Sequence, residues 1–505
     1  MWRSLIGLLT PAGYARFMAT SFVSLLWSRR ATRSPVDGIG WPLLVLAAGV
    51  VAIWIGWVGY SASDDAAYYE AALRWLDHPP VAGDDHWATR FPLILSLAGM
   101  IALLGKGATA MGATALGWYV VFVASVRGLG ARIAGTRAGW IVALLMATMP
   151  VVVTNATTVS CDLAEASFLI MGIALAGDIA VGRAESWRSV VAGLAFGGAI
   201  LCRETTALAL FGFVPLFLVG RPIPRRALIL MAFACAGLLA GEALFQVALT
   251  GDPLHRWTLA FHHDGHIDRA ANLEGNFLLY PAIDPLLVLL VNDDFVLIFW
   301  LAGAALAWRF HRRLDRSGQR RMLVVAALAL ATFLLVGALT TKLVLNPRYF
   351  MLPTLAAALA VAIWLDGMRP APRAALLAIA LGANALMLSV ENQHPRWPAE
   401  ALLMAAEGHP AEAIATDAET QHRALIPLGW HGLDHVVTGE AAPGGLALLP
   451  EGAASAGLRI VERYPSPPTM LGGLLDRGGV ARHLPNHVAA RLLAPNPTML
   501  LAVAR

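Results

Sequence analysis

Residues 41–70 read WPLLVLAAGVVAIWIGWVGY-SASDDAAYYE, an apolar run over 41–60 followed at once by paired aspartates. As a helix, such a run is long enough to cross about 30 Å of hydrocarbon. The loop that follows, up to Arg90, carries Asp64, Asp65, Glu70, Asp77, Asp84 and Asp85 against only Arg74 and Arg90. The chain is otherwise poor in acid, with 33 Asp and Glu among 505 residues. Carboxylates at a membrane boundary are costly to desolvate, so this pair points to a site that acts on something.

Composition supports the same reading. The chain is 58% hydrophobic and 14% charged, with mean hydropathy +0.64. A soluble protein carries about 25% charged residues. Apolar runs recur at 41–60, 108–126, 138–154, 163–182, 189–202, 205–220, 227–249, 294–309, 322–340, 350–366 and 373–390. They predict an all-α polytopic membrane domain of about eleven spans over 41–390. Residues 1–40 precede it as a cytoplasmic or interfacial segment. The run 91–104 is short and would break the alternation of charge, so it is expected to lie at the outer face as a juxtamembrane or re-entrant helix. Residues 66–76 also have helical periodicity.

The pI near 9.1 does not call for nucleic acid. Arginines sit in short clusters between apolar runs, which is topology information. Arg29/Arg30/Arg33, Arg127/Arg132/Arg137, Arg183/Arg188, Arg221/Arg225/Arg226, the set from Arg309 to Arg321, and Arg369/Arg373 all fall on one side if the spans alternate. The N-terminus is then cytoplasmic. The outer face holds 61–107, 155–162, 250–293, 341–349 and the tail. The tail, 391–505, gains Pro, His and Gly and loses long apolar runs. It is expected to form a small extracytoplasmic α/β domain, with strands near 411–415 and 458–461 and a helix over 398–407. The three cysteines, Cys161, Cys202 and Cys235, lie in or beside apolar runs and suggest neither a disulfide framework nor a zinc site.

Four sets of residues could carry chemistry. Asp64 or Asp65 could act as a general base towards a hydroxyl, or simply cap the helix that follows. Asp162 and Glu165 open an inward span, where an ionisable group is expensive, although Asp162 could also be an N-cap. Arg90, Arg203, Lys342 and Arg348 break the positive-inside pattern and suit an anionic ligand. The blander alternative pairs them with the loop acids, or Arg203 with Glu204. The stretch His262, His263, Asp264, Gly265, His266 to Asp268 could hold a divalent metal or contact substrate, or be a solvated loop. Acids and cations on one face suit transfer to a hydroxyl from a phosphate-linked donor.

On these residues the chain resembles the fold-C (GT-C) glycosyltransferases, in particular the aminoarabinose–lipid A transferases and the protein O-mannosyltransferase-like enzymes. Asp64-Asp65-Ala66-Ala67-Tyr68 is similar to their first-loop Asp-Glu-x-x-Tyr motif, with Glu70 in a position that is often acidic. Arg90-Phe91-Pro92-Leu93, Cys161-Asp162, Leu201-Cys202-Arg203-Glu204-Thr205 and Arg348-Tyr349-Phe350-Met351-Leu352-Pro353 resemble later motifs, in the family's order. Glu204-Thr205 departs from the family's Gly-Pro. The resemblance implies an inverting transferase of the bacterial inner membrane with its site on the periplasmic face. Its donor would be a polyprenyl-phosphate sugar, and its acceptor a hydroxyl on an envelope glycolipid, glycan or protein. Asp64, Asp65 and Asp162 would be catalytic. Arg90, Arg203, Lys342, Arg348 and Tyr349 would meet the donor phosphate. Tyr68, Glu70, Glu165, His262 and His266 would contact substrate. Some relatives use a divalent metal and others do not, so the resemblance leaves that open. A transporter or lipid flippase is the main alternative, and a catalytically silent scaffold the other. The sequence shows no internal repeat to favour a transporter.

Overall fold

The computed structural model describes residues 40–183, 185–262, 283–339, 345–391, 397–433, 435–438, 444–453 and 458–503. The first-loop carboxylates lie on a short helix between the first two apolar helices. Helix α1 (Gly40–Ile55) leads through a loop to α2 (Asp64–Asp77), then α3 (Phe91–Leu104) and α4 (Ala108–Ala134). There follow α5 (Thr136–Ala147), α6 (Pro150–Thr157), α7 (Asp162–Ala180) and α8 (Ser186–Cys202). Next come α9 (Thr206–Leu210), α10 (Phe213–Val219), α11 (Arg225–Thr250), α12 (His255–His262), α13 (Asp284–Val291) and α14 (Ile298–Ala307). Helix α15 (Arg316–Ala338), a 3₁₀ turn at Pro347–Phe350, α16 (Met351–Asp366) and α17 (Pro370–Glu391) complete the helical part.

Among the described residues, six helices are long and apolar enough to cross a membrane, or seven if the bent pair α5–α6 counts as one. The expected eleven is not reached on that criterion. The expected spans 41–60, 189–202, 205–220 and 294–309 appear as the shorter apolar helices Gly40–Ile55, Ser186–Cys202, Thr206–Val219 and Ile298–Ala307. Phe91–Leu104 is likewise short. Its Pro92 stands in the first turn, where a missing N–H costs nothing. The break in α5–α6 bends the chain by 67° at Pro150.

Close packing depends on small residues, because lipid tails offer no hydrophobic drive between helices. A Cβ on Gly139 would lie 2.7 Å from the Arg127 carbonyl, and one on Gly130 2.6 Å from Val142, so α4 and α5 can meet only through glycine. Helix α7 is the central post and is almost wholly buried. It carries Asp162 at its start and Asp178 near its end, about 24 Å apart at 1.5 Å per residue. Asp178 gathers Arg321 at 3.0 Å, Arg188 at 3.1 Å and Arg132 at 3.8 Å. Those arginines belong to the set the sequence assigned to one side. Asp162 instead meets Arg203, an exception to that set. The two classes of cation thus occupy opposite ends of one helix.

The tail folds as helix α18 (Trp397–Gly408), strand β1 (Ile414–Thr416), helix α19 (Ala418–His431), strands β2 (Val437–Thr438), β3 (Leu446–Pro450) and β4 (Arg459–Tyr464), helices α20 (Met470–Arg477) and α21 (Asn486–Leu493), and strand β5 (Met499–Val503). The sheet order is β2-β1-β3-β5-β4. Strand β1 runs parallel to β2 and β3, whereas β5 runs antiparallel to β3 and β4. Helix α18 and strands β1 and β4 lie close to their expected places. Strands β2, β3 and β5 were not anticipated. Helices α20 and α21 rest on α17.

Candidate active site

Four segments distant in sequence meet at the Asp162 end of α7. Helix α2 opens with both aspartates in its first turn, where the free N–H groups favour negative charge. They divide the work. Asp65 is buried and its carboxylate accepts the Ser61 and Ser63 N–H groups at 2.6 and 2.8 Å and the Ser61 hydroxyl at 3.0 Å. Burial pushes its pKa up, against these bonds. Asp65 therefore anchors the loop that leads into α2. Asp64 faces Arg348, with Oδ2 3.1 Å from Nη1. Burial would raise its pKa, but Arg348 and Arg90, with hydrogen bonds from Arg348 and Trp87, hold it below the usual carboxylate range.

The cations form the other wall. Arg203 caps α8 with extended backbone, which aims its side chain away from that of Glu204. Its Nη1 lies 2.5 Å from Asp162 Oδ1 and 3.6 Å from Glu165 Oε2. The expected alternative of an Arg203–Glu204 pair is therefore not what the fold provides. Adjacent residues on an extended segment diverge, and Glu204 pairs with Arg256 at 2.6 Å. The ring of Tyr349 sits between two guanidiniums, 5.1 Å from Arg203 and 5.9 Å from Arg348. One continuous set of contacts thus runs Asp64–Arg348–Tyr349–Arg203–Asp162.

Arg90 is buried, donates to the Tyr68 hydroxyl and, at 3.2 Å, to Cys161 Sγ. Among the described residues no carboxylate lies within ion-pairing distance of it. A buried guanidinium without an anion is expensive, so the site carries positive charge in reserve. Asp162 is 2% exposed, and its Oδ2 has no hydrogen-bond partner among the described residues. Glu165 accepts from the Thr206 hydroxyl.

A partly open pocket begins at these residues. Glu165, Arg203, Thr206, Arg348 and Tyr349 form its polar part. Phe122, Leu169, Ile170, Val336, Met351 and Leu355 form its apolar part, between helices α4, α7, α15 and α16. A charged head and an apolar groove are thus continuous.

Two other expected site residues are not brought into these contacts. Glu70 is exposed, and His262 is exposed with its ring on the Thr258 carbonyl 2.7 Å away in its own helix. Lys342, His263, Asp264 and His266 lie outside the described residues. Among the described residues no group of three or more His, Cys, Asp or Glu is placed to hold a metal ion.

Two contributors were not anticipated. Arg256 on α12, 1% exposed, donates to the Thr89 carbonyl and, at 3.1 Å each, to those of Ile200 and Leu201. It ties the residue before Arg90 to the end of α8 beside Arg203. Its signal was present, since it is one more arginine in the outer segment 250–293. Trp87 is the second, as a donor to Asp64.

Residues 80–249 match the family described as dolichyl-phosphate-mannose-protein mannosyltransferase. In fold, the chain is similar to ArnT from Cupriavidus metallidurans in the apo state, with TM-score 0.54 and 14% identity over 84% of this chain and 96% of that one. It is also similar to the same protein bound to undecaprenyl phosphate, with TM-score 0.57 and 13% identity over 92% and 98%. A looser likeness, at TM-score 0.48 and 12% identity over 80% and 65%, is to the oligosaccharyltransferase of Archaeoglobus fulgidus. No curated protein matches the sequence significantly. The chain has the architecture of the fold-C membrane glycosyltransferases, and across 80–249 it carries the sequence pattern of the dolichyl-phosphate-mannose-protein mannosyltransferases.

Proposed function

We propose that the protein is a glycosyltransferase that moves a sugar, with inversion, from a polyprenyl-phosphate donor to a hydroxyl acceptor at the outer face of a bacterial inner membrane. The observation that carries this is the ion pair of Asp64 and Arg348, 284 positions apart, beside an apolar pocket whose polar end holds Arg203 and Tyr349. A polyprenyl chain matches the groove between α4, α7, α15 and α16, and its phosphate matches Arg203 and Arg348. Taking four of the five shorter apolar helices as spans, with Phe91–Leu104 kept at the outer face, and adding them to seven gives eleven, a parity that would put Asp64, Asp162, Arg203 and Arg348 on one side. The tail then folds outside, as an α/β domain over about 391–505.

The chemistry follows from the placement. Asp64 accepts the proton of the acceptor hydroxyl, whose oxygen attacks the anomeric carbon. The bond from that carbon to the phosphate oxygen breaks, and the departing phosphate takes the electron pair. Arg203, Arg348 and Arg90 stabilise the charge it gains. A carboxylate held low by Arg348 is a weak base. Donor phosphate competes for that guanidinium, so donor binding raises the basicity of Asp64 when it is needed. Asp65 shapes the loop, and Asp162 orients Arg203. The Lys342 and His262–His266 segments are adjacent in sequence to these elements and are proposed as further substrate contacts, with any metal requirement to be read from chelation.

The test is incubation of the purified protein with a polyprenyl-phosphate sugar and extracted envelope acceptors, followed by assay of released polyprenyl phosphate. Asp64→Asn should lower release by roughly 10²- to 10⁴-fold without loss of fold. Full activity in that variant removes the base. Lipid flux in liposomes without any sugar transfer would favour the flippase alternative.

A further inference from the structure

We infer that the C-terminal domain sets the position of Asp64 through Trp430, an assignment that rests on the transferase reading above. Helix α19 serves two cores. Ala424 and Leu428 are buried in the core of the C-terminal sheet, with Ile414 and Leu446. Ile426 and Trp430 pack instead on the core of the helical domain. Each pair is spaced by four residues, and the pairs are offset by two, about 200° around the helix. One face of α19 thus belongs to the sheet and the opposite face to the membrane helices.

Trp430 is the contact that reaches the site. Its Nε1–H donates to the Tyr69 hydroxyl at 2.9 Å. Its ring meets Tyr60 and Tyr69 edge-on, with centroids 5.6 and 5.7 Å apart. Those two tyrosines bracket 61–65, where Ser61 and Ser63 bind Asp65 and Asp64 begins α2. Helix α2 has 14 residues, a length that is marginal without tertiary support. Trp430 does not line the pocket. It is therefore a positioning residue. It fixes the two ends of the turn that carries the base, and the soluble domain becomes part of the catalytic geometry.

The bond can be broken from either side. Trp430→Phe keeps a ring but loses the donor, and Tyr69→Phe loses the acceptor. Each should lower kcat by roughly two- to tenfold, as for one lost hydrogen bond, with KM for the polyprenyl-phosphate donor unchanged. The double variant should be no worse than either single one, because both remove the same contact. Trp430→Ala should cost up to about a hundredfold in kcat. It should also speed amide hydrogen exchange in α2 while the sheet core stays protected. If Trp430→Ala fails to fold, the two phenylalanine variants decide. Unchanged kcat in both, additive losses, or unchanged α2 exchange in a folded Trp430→Ala protein would overturn the inference. If the wild type releases no polyprenyl phosphate while α2 loosens in Trp430→Ala, the transferase reading falls and the bracing of α2 stands. If sugar transfer is robust and neither kcat nor exchange moves, the bracing falls and the reading stands.

Discussion

Replacing Arg256 with Met is the sharpest perturbation of the scaffold under the site. Arg256 is wholly buried, bonds three backbone carbonyls and pairs with Glu204. Methionine fills most of the volume but donates nothing. Removing one partner of a buried ion pair costs about 3–5 kcal/mol, and each stranded carbonyl adds about 1 kcal/mol or more. Protonation of Glu204 and entry of water would relieve part of this, which leaves a net loss of about 5 kcal/mol. That is comparable to the whole stability of an ordinary domain. The double variant Arg256→Met/Glu204→Gln removes the stranded charge and should recover about half. Thermal unfolding in lipid nanodiscs, followed by tryptophan fluorescence, measures both. Hydrogen exchange at 199–206 reports where the structure loosens, and transfer should fall because Thr89 precedes Arg90 and Leu201 precedes Arg203. An Arg256→Met protein that unfolds with the wild type and transfers sugar at full rate would refute the reasoning.

Three further outcomes follow. Asp64 titrates below its ordinary value of about 3.9 in the free protein, so kcat/KM should show no acidic limb from it above pH ~4. Because its folded pKa is depressed, the stability it lends is complete above the unfolded value and fades as pH falls through the folded one. The limb in kcat should lie at higher pH, since bound phosphate competes for Arg348; coincident limbs would contradict that exchange of partners. Tyr349→Ala removes the ring shared by Arg203 and Arg348, on the order of 1–2 kcal/mol, and should weaken donor binding roughly five- to thirtyfold in a titration with polyprenyl phosphate. Asp178→Asn removes the carboxylate shared by three arginines, of which only Arg188 keeps a second one among the described residues, Glu185, and should cost about 3–5 kcal/mol in thermal unfolding, with kcat unchanged at low temperature. A lowered kcat there would mean that the two ends of α7 are coupled.

The membrane class and the grouping of Asp64, Arg90, Asp162, Arg203 and Arg348 were legible because charge in an apolar chain is rare and follows topology. The division of labour between Asp64 and Asp65 was not. Both occupy one helical turn, and only the path of the 61–63 loop decides which carboxylate it claims. Arg203 could be recognised as out of place, but its partner depended on the extended backbone after α8. Arg256 has no motif around it, and its burial arises from three distant carbonyls. The short apolar helices Ser186–Cys202 and Ile298–Ala307 also blurred the count, since apolar length is all the sequence offers there. Strands β3 and β5 were missed because runs of Leu and Ala fit helix and buried strand alike.

The bend at Pro150 has a consequence for depth. Continued straight, the eight residues of α6 would rise about 12 Å further along α5, whereas at 67° they rise about 5 Å, a difference of roughly 7 Å. The end of α6 is stitched to the chain before the aspartates, through Gly59 N–H to the Thr157 carbonyl at 3.0 Å and Val58 N–H to the Thr157 hydroxyl at 3.2 Å. The proline therefore works as a depth gauge. In the proposed transferase, a straightened helix would carry this stitch, and Asp64 with it, roughly 7 Å away from a donor phosphate whose tail stays in the bilayer.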